Sequence, residues 1–292
     1  MSILQQLLAL GPKDLLSLGV LAAVVTMIGN LAATVLKELV LSRSLEKWKT
    51  RQSAHAVYRR LRDPLLLASI ELLHRIREIV YQAPTDFLDA TLLHERPTGP
   101  ATNSAEDVYY RRYKLISTVY RLCAWLGWTE LYRQSVTFLD SGSESANRRL
   151  ERQVQKVRAD LADGHLNDAA DWAEWDDALI LREEQRAIGE TMLPKGVAGS
   201  DGILGYAAYC KAFDDTSATD GQHWLKTAAG FVLNLKVSKE KKDFRRVRCL
   251  RIICHLVDLV SDLDSSRVSQ ELKMLRQQAA KDLTAYAVAE PL

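Results

Sequence analysis

The sequence predicts an all-α protein in which one N-terminal transmembrane helix continues into a stalk and then into a multi-helix cytoplasmic bundle. Gly and Pro together account for only 21 of the 292 residues, about 7% against a usual value of about 12%, so few positions suit tight turns. Apolar residues recur at three- and four-residue intervals along most of the chain, and no alternating strand pattern is sustained. One uncharged segment near the N-terminus has the length of a membrane span.

The uncharged segment runs from Leu15 to Leu36 and contains 22 residues. A helix of that length extends about 33 Å, which is enough for a hydrocarbon core of about 30 Å. A cleaved signal peptide has a shorter apolar region behind a positive start, followed by a small-residue cleavage site, and the sequence lacks these features. We therefore predict a retained transmembrane helix over 15–36. Residues 1–14 are predicted to lie along the outer interface or to extend the span.

Small and weakly polar residues recur within the span at alternating steps of four and three. Such residues let two helix backbones approach closely in lipid, and Asn30 can pair with its counterpart in a second copy. We therefore predict self-association through this seam, with a lipid-facing seam as the alternative. The seam consists of Gly19, Ala23, Thr26, Asn30 and Ala33.

Residues 37–62 are predicted to form a basic helical stalk with a net charge of +6. Because positive residues collect on the cytoplasmic side, the N-terminus is expected outside the inner membrane and the C-terminal domain in the cytoplasm. Four cysteines without CxxC spacing suit that reducing compartment. The stalk cations either contact anionic lipid or a partner or are simply solvated. They include Arg43, Lys47, Lys49, Arg51, Arg59 and Arg60.

The remaining chain, 63–292, is predicted to form one all-α cytoplasmic domain around a single core. Asp63-Pro64 predicts a helix start, because proline fits the first turn of a helix. Residues 83–104 contain three prolines and no sustained period, so they are predicted to form a flexible loop. Apolar spacing and capping residues predict seven further helices, at about 104–139, 145–163, 168–192, 203–213, 222–237, 240–262 and 266–288.

The sequence contains no glycine-rich nucleotide motif, no kinase or hydrolase signature and no zinc-spaced Cys/His cluster. We therefore expect no cofactor and favour a non-enzymatic function. An acidic stretch from Asp160 to Glu184 holds nine carboxylates and one arginine. Its carboxylates are candidate ligands for a hard cation, a solvated face, or a partner for the basic segments.

A basic run from Lys239 to Arg251 has the charge to grip phosphates of nucleic acid or lipid. The whole chain has a net charge of only +2, and the run contains one aromatic residue, so we do not expect a nucleic-acid partner. Within it, Arg248 and His255 at R-x(6)-H spacing fit the loose pattern of the HEPN ribonucleases. They are the weak catalytic candidates, with a half-buried structural histidine as the alternative.

A polar stretch from Arg182 to Glu190 places Glu183, Arg186 and Glu190 on one helix face, which suits ion pairing. Together with Gln185 these residues are a candidate polar cluster. The strings EEQRAIGE and ILGYAAY, with the tyrosine-rich stretch YYRRYKLISTVYRLCAWLGW before them, resemble a family of uncharacterised bacterial single-pass membrane proteins. The resemblance implies a membrane anchor and a helical cytoplasmic region, and it implies no activity and no catalytic residue.

These observations predict a non-enzymatic single-pass membrane protein whose cytoplasmic helices mediate association, with the bilayer, a second copy and an unidentified cytoplasmic protein as partners. One alternative is an effector, for example in phage defence, that assembles its spans and perturbs the membrane. A further alternative is a membrane-tethered HEPN-like ribonuclease.

Overall fold

A computed structural model describes residues 12–36, 43–82, 85–95, 107–137, 145–162, 179–194, 202–215, 219–235 and 244–288. Within these ranges the chain forms nine α-helices and no β-strand, so the predicted all-α class is confirmed. The helices are α1 Pro12–Leu36, α2 Arg43–Tyr81, α3 Val108–Thr137, α4 Ser145–Ala162, α5 Arg182–Thr191, α6 Tyr206–Asp214, α7 Thr219–Gly230, α8 Phe244–Leu263 and α9 Gln270–Val288.

The chain divides into two compact units, Met1–Ser53 and Ala54–Leu292. In the first unit, the apolar side chains of α1 that the structure describes are exposed, Leu21, Ile28 and Leu31 among them. Within the described part of the chain, no helix combines the length and the apolar character that crossing a membrane requires.

The core of the second unit is built around the antiparallel pair α2 and α3. Trp125 is fully buried between them and donates from Nε1 to Ser69 Oγ at 3.2 Å. One end of the pair is joined by the buried Arg75, whose Nη2 donates to Ser117 Oγ at 3.2 Å. Because a buried indole N–H needs an acceptor, Ser69 makes the position of Trp125 specific.

The helix start predicted at Pro64 is wrong, because α2 runs without a break from Arg43 to Tyr81. Proline inside a helix removes one backbone hydrogen bond and costs about 3 kcal/mol. The residues on both sides of it, Leu61 and Leu65, are buried in the core. Their burial favours a continued helix, because each fully buried leucine contributes about 2 kcal/mol.

Helices α4 and α8 are antiparallel and are joined by polar contacts at both ends. Gln153 Nε2 donates to Asp262 Oδ2 at 2.9 Å near one end, and Asp160 meets His255 near the other. Helix α9 then packs along α8 and reaches α2, where Tyr81 donates to Asp282 Oδ2 at 2.8 Å.

The predicted loop 83–104 contains two 3₁₀ turns, Asp86–Leu88 and Ala90–Leu93. They are attached to the end of α7 by Asn234, whose N–H donates to Leu88 O at 2.7 Å and whose Oδ1 accepts from Ala90 N at 3.1 Å. Asn234 has a φ of 54°, a left-handed conformation in which asparagine is enriched. Helix α7 ends at Gly230 and is followed by turns over 231–234, short of the predicted position 237.

Helix α5 begins at Arg182, whereas the acidic pattern predicted a start at residue 168. Ile180 and Leu181 are not helical, and Ile180 N donates to Leu161 O at 2.9 Å. This contact sets Ile180 against the end of α4 before α5 starts. The first part of the predicted acidic helix, residues 168–178, lies outside the described residues.

Candidate functional site

Among the described residues, several buried polar side chains that join different helices lie at the C-terminal end of α4. The last carbonyls of a helix have no partner within it, and cations near them are stabilised by the helix dipole. Arg248 of α8 donates from Nη1 to Asp160 O at 2.6 Å. Gln185 of α5 donates from Nε2 to Arg158 O at 2.9 Å. Two helices therefore complete the hydrogen bonding of a third.

The carboxylate of Asp160 lies at the centre of this end, with its residue only 1% exposed. Its Oδ2 is 2.5 Å from His255 Nδ1, and its Oδ1 is 3.1 Å from Arg251 Nε. A buried carboxylate is stable only with such partners. Asp160, Arg248, Arg251 and His255 are called the Asp160 cluster below.

The members of the Asp160 cluster differ in their access to solvent. Arg248 is 2% exposed, whereas the side chains of Arg251 and His255 are 37% and 24% exposed. Because Asp160 accepts from Nδ1, this ring nitrogen carries a proton, and Nε2 is left for a second hydrogen bond. Within the described residues, His255 Nε2 has no hydrogen-bond partner.

The two weak catalytic candidates therefore meet at one residue, although they hold different parts of it. Arg248 binds the backbone oxygen of Asp160, and His255 binds the carboxylate. Sequence reasoning missed Asp160 as their shared partner and Arg251 as the accessible arginine. The available signal was the i, i+4 spacing of Arg251 and His255, which places them side by side on α8.

A second buried polar pair lies next to the Asp160 cluster. Arg158 Nε donates to Gln185 Oε1 at 3.0 Å, and Gln185 Nε2 also donates to Ile180 O at 2.8 Å. Burial lowers the pKa of Arg158, and the nearby Glu130 carboxylate acts in the opposite direction. Glu130 is itself buried and accepts two hydrogen bonds from Arg133, at 2.8 and 2.5 Å.

The structure divides the predicted polar cluster of α5 between core and surface. Gln185 is buried, whereas Glu183 and Arg186 form an exposed ion pair at 2.8 Å and Glu190 is exposed. The close packing of α5 on α3 depends on Gly189, where an added Cβ would lie 2.9 Å from Leu126 O. The four predicted residues therefore do not line one pocket.

Within the described part of the basic run on α8, Arg246 and Arg248 are buried and Arg251 reaches solvent. Arg245 donates from Nη1 to Leu233 O at 2.6 Å, beyond the end of α7, and Arg248 caps α4. Among the stalk cations, Arg59 and Arg60 are exposed. The side chains of the other four lie outside the described residues; these are Arg43, Lys47, Lys49 and Arg51.

All five residues of the predicted small-residue seam are exposed on α1: Gly19, Ala23, Thr26, Asn30 and Ala33. The Thr26 hydroxyl donates to Ala22 O at 2.8 Å, and the Thr34 hydroxyl donates to Asn30 O at 2.8 Å. The threonine hydroxyls are thus satisfied within the helix. Within the described residues, the Asn30 carboxamide has no hydrogen-bond partner.

The thiols of the second unit have the character of structural cysteines. Burial raises the pKa of Cys123 to about 12 and also raises the pKa of Cys254, so both are protonated at neutral pH and poor nucleophiles. In the described part of the chain, no group of three His, Cys, Asp or Glu residues is placed to hold a metal ion. Comparisons with protein-family models, with curated proteins and with solved structures find no match for this chain.

Proposed function

We propose that this protein is a non-enzymatic single-pass membrane protein that associates with a second copy of itself through α1. Its N-terminus lies outside the inner membrane, and its helical second unit lies in the cytoplasm and binds partner proteins. The observation that carries the proposal is the unpartnered carboxamide of Asn30 among exposed apolar side chains.

In a membrane environment, the Asn30 carboxamide needs a hydrogen-bond partner. In hydrocarbon an amide without a partner costs several kcal/mol, because no water is available to bind it. Thr26 and Thr34 avoid that cost by donating to carbonyls of their own helix. Asn30 can avoid it by pairing with Asn30 of a second copy, an interaction worth about 0.6–2 kcal/mol in membranes.

The seam around Asn30 suits close approach of two helices. Its other members are small, and a Cβ added at Gly19 would meet no atom within 4 Å. Two copies of α1 can therefore bring their backbones near enough for the carboxamides to bond.

The support for the membrane location is the full sequence. All 22 residues from Leu15 to Leu36 are uncharged, and they include apolar residues whose side chains lie outside the described set. The stalk after them carries a net charge of +6, which favours a cytoplasmic position for the second unit.

The contacts of Arg248 support a non-enzymatic function. An arginine that stabilises a substrate phosphate must reach that substrate, whereas Arg248 is 2% exposed and bound to a backbone oxygen. Withdrawing it would also uncap α4. These contacts explain Arg248 and its seven-residue spacing to His255 as parts of the helix packing.

Fractionation and protease protection test the location. We expect the chain to remain in the membrane pellet after carbonate extraction, and its C-terminal half to resist protease added outside spheroplasts. Recovery of the intact chain in the supernatant, or digestion of the C-terminal half from outside, would contradict the proposal.

Cross-linking in native membranes tests the association. We expect Asn30→Leu to lower the cross-linked dimer about fivefold, the effect of about 1 kcal/mol. Ile28→Leu is the matched control, because position 28 lies on the opposite face of α1 and should leave the dimer unchanged. If the wild type is monomeric, or if both variants dimerise equally, association through Asn30 is wrong.

A further inference from the structure

We propose that Arg251 and His255, held in place by the buried Asp160, bind the phosphate group of a small soluble phosphate monoester. This site is independent of the association through α1. It lies at the surface of the second unit, where α8 passes the C-terminal end of α4.

The buried carboxylate of Asp160 holds both donors of this site in position. Asp160 contacts Arg251 through Nε and His255 through Nδ1. The terminal nitrogens of Arg251 and the Nε2 of His255 have no partner among the described residues. Because the two side chains are four residues apart on one helix, they are neighbours and can contact two oxygens of one tetrahedral anion.

The formal charges of the described side chains in the cluster favour an anion, and Arg248 also offsets the partial negative charge at the C-terminal end of α4. Asp160 contributes one negative charge, and Arg248 and Arg251 contribute two positive charges, so the cluster is cationic even with neutral His255. One helical turn further along, Asp258 is paired with Arg276 at 2.7 Å, and that pair adds no net charge. Cys254 stays a neutral thiol, since burial raises its pKa.

The chemistry of the donors favours phosphate over other anions. A guanidinium presents parallel N–H groups that match two phosphate oxygens. An imidazole whose Nδ1 contacts a carboxylate is held in a fixed orientation, and its Nε2 can then form a hydrogen bond with another phosphate oxygen. A phosphate monoester near neutral pH carries a charge of about −1.5 to −2 and three strong acceptor oxygens.

The binding test uses the full chain in detergent micelles and follows the ring nitrogens of the six histidines by NMR, with His255→Gln assigning the signal. Inorganic phosphate and adenosine monophosphate are titrated separately. We expect a saturable shift of the His255 signals with both ligands. Absence of a saturable shift would overturn the proposal.

Two arginine variants separate this site from general attraction of anions. Arg251→Gln should weaken binding about tenfold, the usual effect of losing a charge-assisted hydrogen bond. Arg149→Gln is the matched control on the exposed surface of α4, where the Arg149 side chain is 69% exposed, and it should bind as the wild type does. Equal affinities of the two variants would overturn the proposal.

Two further measurements complete the test. Asp160→Asn should shift the His255 tautomers toward the form with its proton on Nε2, because Asp160 acts as a positioning residue. The same variant should weaken phosphate binding. Unchanged tautomers would contradict the proposed role of Asp160. In nanodiscs, a response to phosphatidic acid without a response to adenosine monophosphate would identify a lipid headgroup and overturn a soluble ligand.

Discussion

Replacing Arg248 by methionine removes the guanidinium that caps α4 while keeping much of the volume of the side chain. The wild-type Nη1 lies 2.6 Å from Asp160 O, and the residue is 2% exposed. The substitution leaves that carbonyl without its donor and leaves the Asp160 carboxylate with one cation fewer. Arg251→Met is the matched variant, because Arg251 contacts the same residue from a side chain that is 37% exposed.

The expected loss of stability follows from burial. A hydrogen bond from a charged donor contributes about 1.5–3 kcal/mol, and a cation at a partly buried helix C-terminus contributes up to about 2 kcal/mol. Since methionine recovers some apolar contact, we expect Arg248→Met to lower the free energy of unfolding by about 3 kcal/mol. Arg251→Met should cost about 1 kcal/mol or less, because solvent screens its ion pair.

Thermal unfolding of the full chain in detergent, followed by circular dichroism at 222 nm, measures both effects. A loss of about 3 kcal/mol corresponds to a fall in Tm of about 6–12 °C for a domain of this size. The reasoning would be refuted if Arg248→Met lowered Tm by less than about 2 °C, or if the two variants were equally stable.

Three further predictions concern other parts of the second unit. Gly189→Ala should destabilise the unit by about 1–3 kcal/mol in denaturant titrations, because the new Cβ would lie 2.9 Å from Leu126 O; a neutral result would mean that α5 can move away from α3. Cys123 should resist alkylation at pH 8 until the protein unfolds, because it is fully buried and its pKa is raised to about 12; labelling of the native protein, read by mass spectrometry, would contradict this. The pKa of Asp89 should lie below the ordinary aspartate value, since the Thr91 N–H and hydroxyl both donate to it. Its stabilisation of the 3₁₀ turn is thus present above the unfolded pKa and is lost as the pH falls through the folded pKa, which NMR titration of the carboxyl carbon would show.

The helix boundaries show which features of the fold can be predicted from local sequence patterns. Helix α9 was predicted at 266–288 and is found at Gln270–Val288, and α8 was predicted at 240–262 and is found at Phe244–Leu263. Apolar spacing and helix ends depend on residues within one or two turns, so one sequence suffices to place them. At Pro64 the local rule failed, because burial of Leu61 and Leu65 outweighs the lost backbone hydrogen bond.

The sequence also identified Arg248 and His255 as candidate residues, but it did not identify the residue that both of them contact. Their spacing of seven residues predicts that both lie on one face of a helix, and both residues are found on α8. Their common partner was hidden in a stretch of nine carboxylates, where nothing in the composition separates Asp160 from the others. Burial separates it, because Asp160 lies at the end of α4 against α8.

The helical class, the positions of most helices and the uncharged segment with its polar Asn30 thus follow from the amino-acid order alone. Which charges are buried and which reach solvent depends on how the helices pack. The bond between Arg248 and Asp160 joins residues 88 positions apart, and their meeting depends on the packing of whole helices. Helix formation is encoded by neighbours along the chain, whereas the partner of a buried charge is set by contacts between segments that are distant in sequence.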